Sequence, residues 1–278
     1  MLEAILHPSD LSLGTNAAFL HALRIALEAK GELTILHSQR RSVADEADWH
    51  SFPGVRATLS RWGLIADDAP ESAVESQLGV LITKAELYDP SPVGSVVRWL
   101  EGHGCDLLVM ATHSREGLER WLRGSVSVDL ARQTPVPSLF LPISAPGFVN
   151  PDSGKAVIRN ILIPVDRDPH PSAAVVLALE LADLCGGRDA VVHLLHVGTT
   201  EEAPIVEIDP RTNRRLQRHT RSGPVIDAIL AVAEELQPDF IAMSTRGRQG
   251  FLDAVRGSTT ERVLREAKRP LLAVPAVE

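Results

Sequence analysis

The stretch of this chain best suited to chemistry is Ser244-Thr245-Arg246-Gly247-Arg248-Gln249-Gly250, followed, with nine residues between Gly247 and Gly257, by Gly257-Ser258-Thr259-Thr260. It leaves a short apolar run and leads into a helix predicted over 261–268. Glycines in such a place let the backbone approach an anion closely, and the amides at a helix start donate to it with help from the helix dipole. The hydroxyls of Ser258 and Thr259 would add charge-assisted bonds. That is phosphate-holding chemistry. Asp166 ends another apolar run and is placed to accept from ribose hydroxyls or to hold a metal; Val197 ends a third. A lone Gly-Ser is more often a loop glycine and an N-cap, and an aspartate after a strand is often a turn acceptor. Here the spacing and its repetition favour a ligand.

The repetition covers the whole chain. Ile5-Leu6-His7-Pro8-Ser9-Asp10 returns as Ile161-Leu162-Ile163-Pro164-Val165-Asp166, and each copy precedes an Ala/Leu-rich amphipathic stretch, 15–30 and 172–186. Leu33-Thr34-Ile35-Leu36-His37-Ser38 answers to Val192-His193-Leu194-Leu195-His196-Val197, and the helical run after Pro92-Val93 to the one after Pro224-Val225. The run 106–112 matches 239–245, Gly124-Ser125 matches Gly257-Ser258, and 138–142 matches 270–275. Six matches in one order define an internal repeat.

Short apolar runs alternating with longer helical-period runs are the sequence form of a parallel sheet covered by helices. The expected fold class is therefore α/β, two tandem doubly wound parallel-sheet domains. The expected boundaries are 1–144, a linker at 145–156 rich in Pro, Gly, Asn and Ser with little to bury, and 157–278. The halves differ in the middle. The first has room for a helix near 53–62 and a strand near 80–87; the second spans the equivalent gap in about half the length. Its 204–209 segment reads as a strand and turn, with a helix lost.

At 278 residues and 44% hydrophobic content, the chain can bury two cores. A net charge of −8 disfavours a general nucleic-acid binder, which needs the opposite sign. Two cysteines, Cys105 and Cys185, one per half, give no disulfide framework and no zinc spacing, as expected in a reducing compartment. The first residues lack a secretory pattern, and no window reaches the roughly 20 apolar residues a bilayer requires. The expectation is a cytoplasmic protein with no membrane partner.

The small-x-x-Gly, nine residues, Gly-Ser pattern resembles the Gly-x2-Gly-x9-Gly-(Ser/Thr) signature of the ATP-binding branch of the universal stress protein family, and the resemblance spans both halves. It implies five-stranded parallel sheets of the adenine nucleotide alpha hydrolase-like type, binding of ATP or of ADP or AMP, often with Mg2+, and a role in stress regulation. Carried over, Pro164, Val165 and Asp166 lie on the adenosine side, and Val197 is the residue whose backbone meets the adenine. Arg246, Gly247, Arg248, Gly257, Ser258 and Thr259 fall on the phosphate loop, and Asp166 is the residue to meet a magnesium ion. Ser244 stands where the signature has its first glycine. A weaker second site would comprise Pro8, Ser9, Asp10, Ser38, Ala111, Ser114, Gly124 and Ser125. There Ala111 and Ser114 replace both leading glycines, and a Cβ at 114 disfavours positive φ. The second half is thus the expected receptor. The resemblance also implies antiparallel pairing of final strands, here 139–141 against 271–273, making one chain a pseudo-dimer; a homodimer and a regulatory protein partner are further expectations.

The other candidates read more plainly. His193 and His196 are three apart on a strand, so they point to opposite faces and do not chelate together. His7 and His37 lie near the first cleft mouth, where a satisfied imidazole is the commoner fate. Arg211, Arg214, Arg215, Arg218 and Arg221 read as a solvated basic strand or loop, with a phosphate cap or an acidic-partner dock as the alternative. No P-loop lysine, nucleophile elbow or His-Glu-x-x-His is present, so no catalytic residue is assigned. Two readings compete with nucleotide sensing: a nucleotide-free scaffold working through protein contacts, and a slow ATPase.

Overall fold

A computed structural model describes residues 2–39, 54–89, 91–112, 126–143, 145, 147–208, 214–246 and 259–276. The first half runs β1 (Ala4–Ser9), a 3-10 turn (Leu13–Thr15), α1 (Asn16–Ala29), β2 (Glu32–Gln39), α2 (Val55–Arg61), α3 (Ala73–Leu78), β3 (Leu81–Tyr88), α4 (Pro92–Gly102), β4 (Leu107–Thr112), α5 (Val126–Gln133) and β5 (Ser138–Pro142). The second runs β6 (Asn160–Pro164), α6 (Ser172–Leu184), β7 (Val191–Val197), a 3-10 turn (Thr200–Glu202), β8 (Leu216–Arg221), α7 (Val225–Leu236), β9 (Phe240–Thr245), α8 (Thr259–Glu266) and β10 (Leu271–Pro275).

Local chemistry explains several boundaries. Pro92 opens α4, where its missing N–H costs nothing, and Ser91 caps the helix by accepting the Gly94 N–H at 3.1 Å. α1 and α6 end in matching pairs. Lys30 and Gly186 both take left-handed backbone, at φ 50° and 76°. The next residues, Gly31 and Gly187, have no room for a side chain: a Cβ would sit 2.1 Å from the Glu3 carbonyl oxygen or 2.8 Å from the Ile158 side chain. Only glycine allows the chain to turn so tightly past the entry of the first strand.

The strands form one sheet in the order β3-β2-β1-β4-β5-β10-β9-β6-β7-β8. All neighbours are parallel except at the centre, where β5 and β10 run antiparallel with Phe140 opposite Leu271 and Leu139 opposite Leu272. The pairing of final strands that the resemblance implies is present within one chain, and each half shows the doubly wound arrangement. Two apolar layers cover the sheet. One packs α1 and α6 over Ile5, Leu33, Leu139, Ile161 and Leu272; the other packs α4, α5, α7 and α8 over Leu6, Leu108, Phe140, Leu162 and Ile241. Each layer draws on both halves, so the central seam is core rather than surface.

Three expectations need correction. The strand expected at 204–209 is not one: 204–208 is irregular, with Ile205 exposed and Val206 buried, and the edge strand is β8 at 216–221. A parallel neighbour of β7 must return to its amino end before pairing, a crossover of roughly a dozen residues. The six residues between Val197 and position 204 cannot supply that; the eighteen between Val197 and Leu216 can. Among the described residues between β7 and β8 there is a 3-10 turn and no α-helix.

The linker does bury residues. Phe148 and Val149 are buried, and their N–H groups donate to His21 Nε2 at 2.9 and 3.2 Å. The Trp62 indole N–H donates to the Pro151 carbonyl at 3.0 Å, and Gly154 lies where a Cβ would meet the indole at 2.3 Å. Phe148 also reaches Phe240 of β9, ring centroids 6.0 Å apart. The segment is a docked strap.

The third correction concerns the arginines. Arg215 and Arg218 are exposed as expected, but Arg214 is not solvated: its side chain is 1% exposed and its guanidinium donates to Asp183, at 2.5 Å, and to the Leu179 and Gly187 carbonyls. Arg218 donates to the Val206 carbonyl and Arg221 pairs with Glu235; Arg211 lies outside the described residues.

Candidate functional site

In an open parallel sheet, ligands sit beyond the carboxyl ends of the strands where the order reverses. In the second half β6 has β9 on one side and β7 on the other, so the reversal falls between β6 and β9. Pro164 is the last residue of β6. Val165 is buried and its N–H donates to the Leu195 carbonyl at 2.8 Å, carrying the strand one residue further. Asp166 then emerges exposed, one carboxylate oxygen accepting the N–H of its neighbour Arg167 at 2.7 Å. Val197 ends β7 alongside, half-buried.

Across the reversal, β9 delivers Ser244 and Thr245, then Arg246. The Ser244 Oγ is buried and has no hydrogen-bond partner among the described residues. Arg246 reaches back over the crevice to Asp168, Nη2 to Oδ2 at 2.7 Å and Nε to Oδ1 at 3.4 Å. This bidentate pair brings the β6 and β9 loops together at the mouth; both side chains are exposed, so it contributes little to stability. Thr259 opens α8 and is exposed. Gly247, Arg248, Gly257 and Ser258 lie outside the described residues.

The first half builds the corresponding mouth between β1 and β4, with different chemistry. Pro8 and Ser9 close β1; the Ser9 Oγ accepts the Leu11 N–H at 3.1 Å. Asp10 accepts the Ser12 N–H at 2.9 Å, forming an Asx turn. The Ser38 and Ser95 hydroxyls bond at 2.9 Å. Ala111 lies in β4, its carbonyl accepting from the Ser127 hydroxyl at 2.8 Å. Ser114, Gly124 and Ser125 are outside the described residues.

The histidines divide by surroundings. His7 and His21 are buried, and burial pushes both from the usual 6.5 to about 4. Each is the Nδ1–H tautomer, donating to the Val109 and Ala17 carbonyls respectively. His193 and His196 do face opposite ways. His193 contacts His219, Nδ1 to Nε2 at 3.0 Å, and Asn160, while His196 Nδ1–H donates to Val165 on the other face. The His193–His219 contact was not legible in the sequence, because His219 sits in the strand that periodicity misplaced. Burial raises the Cys105 and Cys185 thiols to about 12, which makes both inert. No described helix is long and apolar enough to cross a membrane.

Comparison with known proteins agrees with this architecture. Half of the chain is similar to Universal stress protein MJ0531 of Methanocaldococcus jannaschii, 29% identical over 148 residues, 50% of this chain and 81% of that protein. Among solved structures, a universal stress protein from Archaeoglobus fulgidus is similar over 100% of both chains, at 20% identity and a TM-score of 0.62. One from Pseudomonas aeruginosa, described as a putative universal stress protein, matches 99% of this chain and 93% of its own at 19% identity and a TM-score of 0.63. At those identities the two structures speak for the fold alone. The model of the universal stress protein family matches residues 1–142 and 209–275, most of the sequence. With both halves matched and the repeat visible in strand after strand, the chain belongs to the universal stress protein family.

Proposed function

We propose that the second half binds an adenine nucleotide, ATP in the first instance, and that the protein acts as a stress-response regulator that senses this ligand. The observation that carries the reading is the mouth between β6 and β9. It gathers the outward-facing carboxylate of Asp166, the unpartnered Ser244 hydroxyl and the Arg246 guanidinium at the strand-order reversal. A carboxylate there suits ribose hydroxyls, and a guanidinium suits phosphate oxygens. The glycine loop at 247–257 would add backbone N–H groups. Asp166 also fits magnesium, a hard cation that takes one or two carboxylates and completes its shell with phosphate oxygens and water. Hydrolysis is no part of the proposal.

The test is direct. Freshly purified protein is denatured and the supernatant examined by chromatography and mass spectrometry, and Mg-ATP is titrated while the thermal midpoint is followed. Released ATP, ADP or AMP, with a ligand-dependent rise in the midpoint that disappears on Gly247→Val and Gly257→Val, is the expected result. Absence of both released nucleotide and any shift overturns the reading in favour of a scaffold.

A further inference from the structure

The two halves share one side-chain contact at their mouths that neither the glycine signature nor the aspartates explain. In the second half, His196 Nδ1–H donates to the Val165 carbonyl at 3.2 Å. In the first, His37 Nδ1–H donates to the Ser9 carbonyl at 2.8 Å. His196 and His37 occupy the same place in the repeat, the next-to-last position of the Leu-Leu-His-Val and Ile-Leu-His-Ser runs. The carbonyls they hold belong to the residues immediately before Asp166 and Asp10. In the first half the imidazole and its acceptor are register partners, Ser9 opposite His37, in a strand pair whose ladder stops there. The copies have diverged at most surrounding positions, yet both retain a ring that carries the strand pairing one bond past the last backbone pair.

We infer that His196 is a positioning residue: by fixing the Val165 carbonyl it holds the peptide that presents Asp166 to the mouth. The surroundings of the ring support this role. His196 is 5% exposed, and donation from Nδ1 fixes the tautomer and turns the ring edge toward β6. A Cβ on Gly198 would meet its Nε2 at 2.7 Å, so glycine at 198 leaves space for the ring in this pose. The loop over it is braced separately. Glu202 accepts from the Thr199 N–H and hydroxyl at 3.1 and 2.9 Å, closing a capping box over the 3-10 turn. The Arg167 guanidinium donates to the Glu201 carbonyl at 3.0 Å, tying the residue after Asp166 to the same turn. Asp166 is thus held on both sides, through Val165 by the imidazole and through Arg167 by the turn. Partners that orient metal-ligating side chains without touching the metal are worth about 10-fold to 100-fold in affinity, and the lower end of that range is the effect expected here.

The inference rests on the proposed nucleotide site, and the experiment separates the two. In the full chain, His196→Leu and His196→Gln remove a donor at the Nδ1 position, while His196→Asn keeps an amide N–H near it. Three readouts are taken: Mg-ATP affinity by calorimetry, amide exchange at residues 165–167, and the histidine 15N shifts of the native protein. Expected are an Nδ1-protonated His196, about 10-fold weaker Mg-ATP binding with faster exchange at 165–167 in the Leu and Gln variants, and recovery of both in the Asn variant. His37→Leu should speed exchange at 9–11 and leave Mg-ATP affinity as it was. If the native protein binds no Mg-ATP, the nucleotide reading fails, and exchange at 165–167 still decides the positioning role. Native affinity and native exchange in the Leu and Gln variants, or an Asn variant no better than they are, overturn the inference. If the Leu variant does not fold, the contrast between the Gln and Asn variants decides the matter in its place.

Discussion

The two mouths of this molecule share one backbone plan and use their polar groups in different ways. In the first half, Asp10 accepts the Ser12 N–H, Ser9 accepts the Leu11 N–H, and Ser38 bonds Ser95. In the second, among the described residues, Asp166 accepts the N–H of the next residue, the Ser244 hydroxyl has no partner, and Arg246 stretches across the crevice to Asp168. Asp10 and Asp166 each accept one backbone N–H through one oxygen and keep further lone pairs, whereas the Ser38 hydroxyl must give up Ser95, a bond worth about 1 kcal/mol net, before it can turn to a ligand. On the proposed reading, duplication lets one copy keep a mouth for ligand while the other uses the same positions in turns. Site retention is read from what the polar atoms are already doing, and fold retention from the apolar register.

The sharpest break between the halves should come with acid. His7 and His21, both in the first half, are held neutral by burial at about 4 against the usual 6.5; His7 has Ile163 as its counterpart. As pH falls, the unfolded chain takes up these protons before the folded one does. Stability is therefore whole above about pH 6.5 and drains away toward pH 4, by about 2 kcal/mol per histidine between pH 7 and 5. Denaturant unfolding at those two pH values measures it, and His7→Ile should remove about half of this dependence. For His21 the added proton also displaces the Phe148 and Val149 N–H groups, so the strap should show the earliest loss of amide protection. Equal acid sensitivity in native protein and the His7→Ile variant would contradict the assignment.

Of similar size is the effect of the aspartates on ligand. Asp166→Ala should weaken Mg-ATP by roughly 10-fold to 100-fold, the value of a hydrogen bond to a charged group, and Asp10→Ala should leave affinity within about 2-fold while lowering stability by about 1 kcal/mol through loss of its turn. Calorimetry and thermal melting of the two variants sharpen the contrast; equal losses of affinity would make both halves receptors. The smallest effect concerns the helix ends. Lys30 adopts the left-handed backbone that Gly186 adopts in the other half, so Lys30→Gly should stabilise by about 0.5–1 kcal/mol, and Gly186→Ala should cost about as much. Denaturant midpoints of the two variants moving in the same direction would show that the ends are not equivalent.

Most of the framework was legible because burial writes itself in repeated apolar runs: Ile5-Leu6 against Ile161-Leu162, and 107–110 against 240–243, are strands for the same reason. The edge strand escaped because its signal is inverted. Leu216-Gln217-Arg218-His219-Thr220-Arg221 has charge where a buried strand has valine, and charge suits an edge that must stay unpaired. Meanwhile Ile205-Val206-Glu207-Ile208 has the alternation and lacks the reach. The strap escaped for another reason. Its composition announces a linker, while the His21 and Trp62 side chains that dock it lie 127 and 89 residues away. At the site, Asp166, Val197 and Ser244 could be placed from the ends of apolar runs, but the histidine bonds to Ser9 and Val165 could not: periodicity says which face a ring takes, and nothing about the carbonyl it meets.

The antiparallel seam of β5 and β10 has one more consequence. Because direction flips there, the first half opens its cleft on one rim of the sheet and the second half on the other. A small molecule seated in one cleft cannot touch its counterpart, and a partner that docks over one rim leaves the far rim free. The two rims are joined through the central strands, where Phe140 lies opposite Leu271, and through the strap, where Phe148 sits between His21 and Phe240.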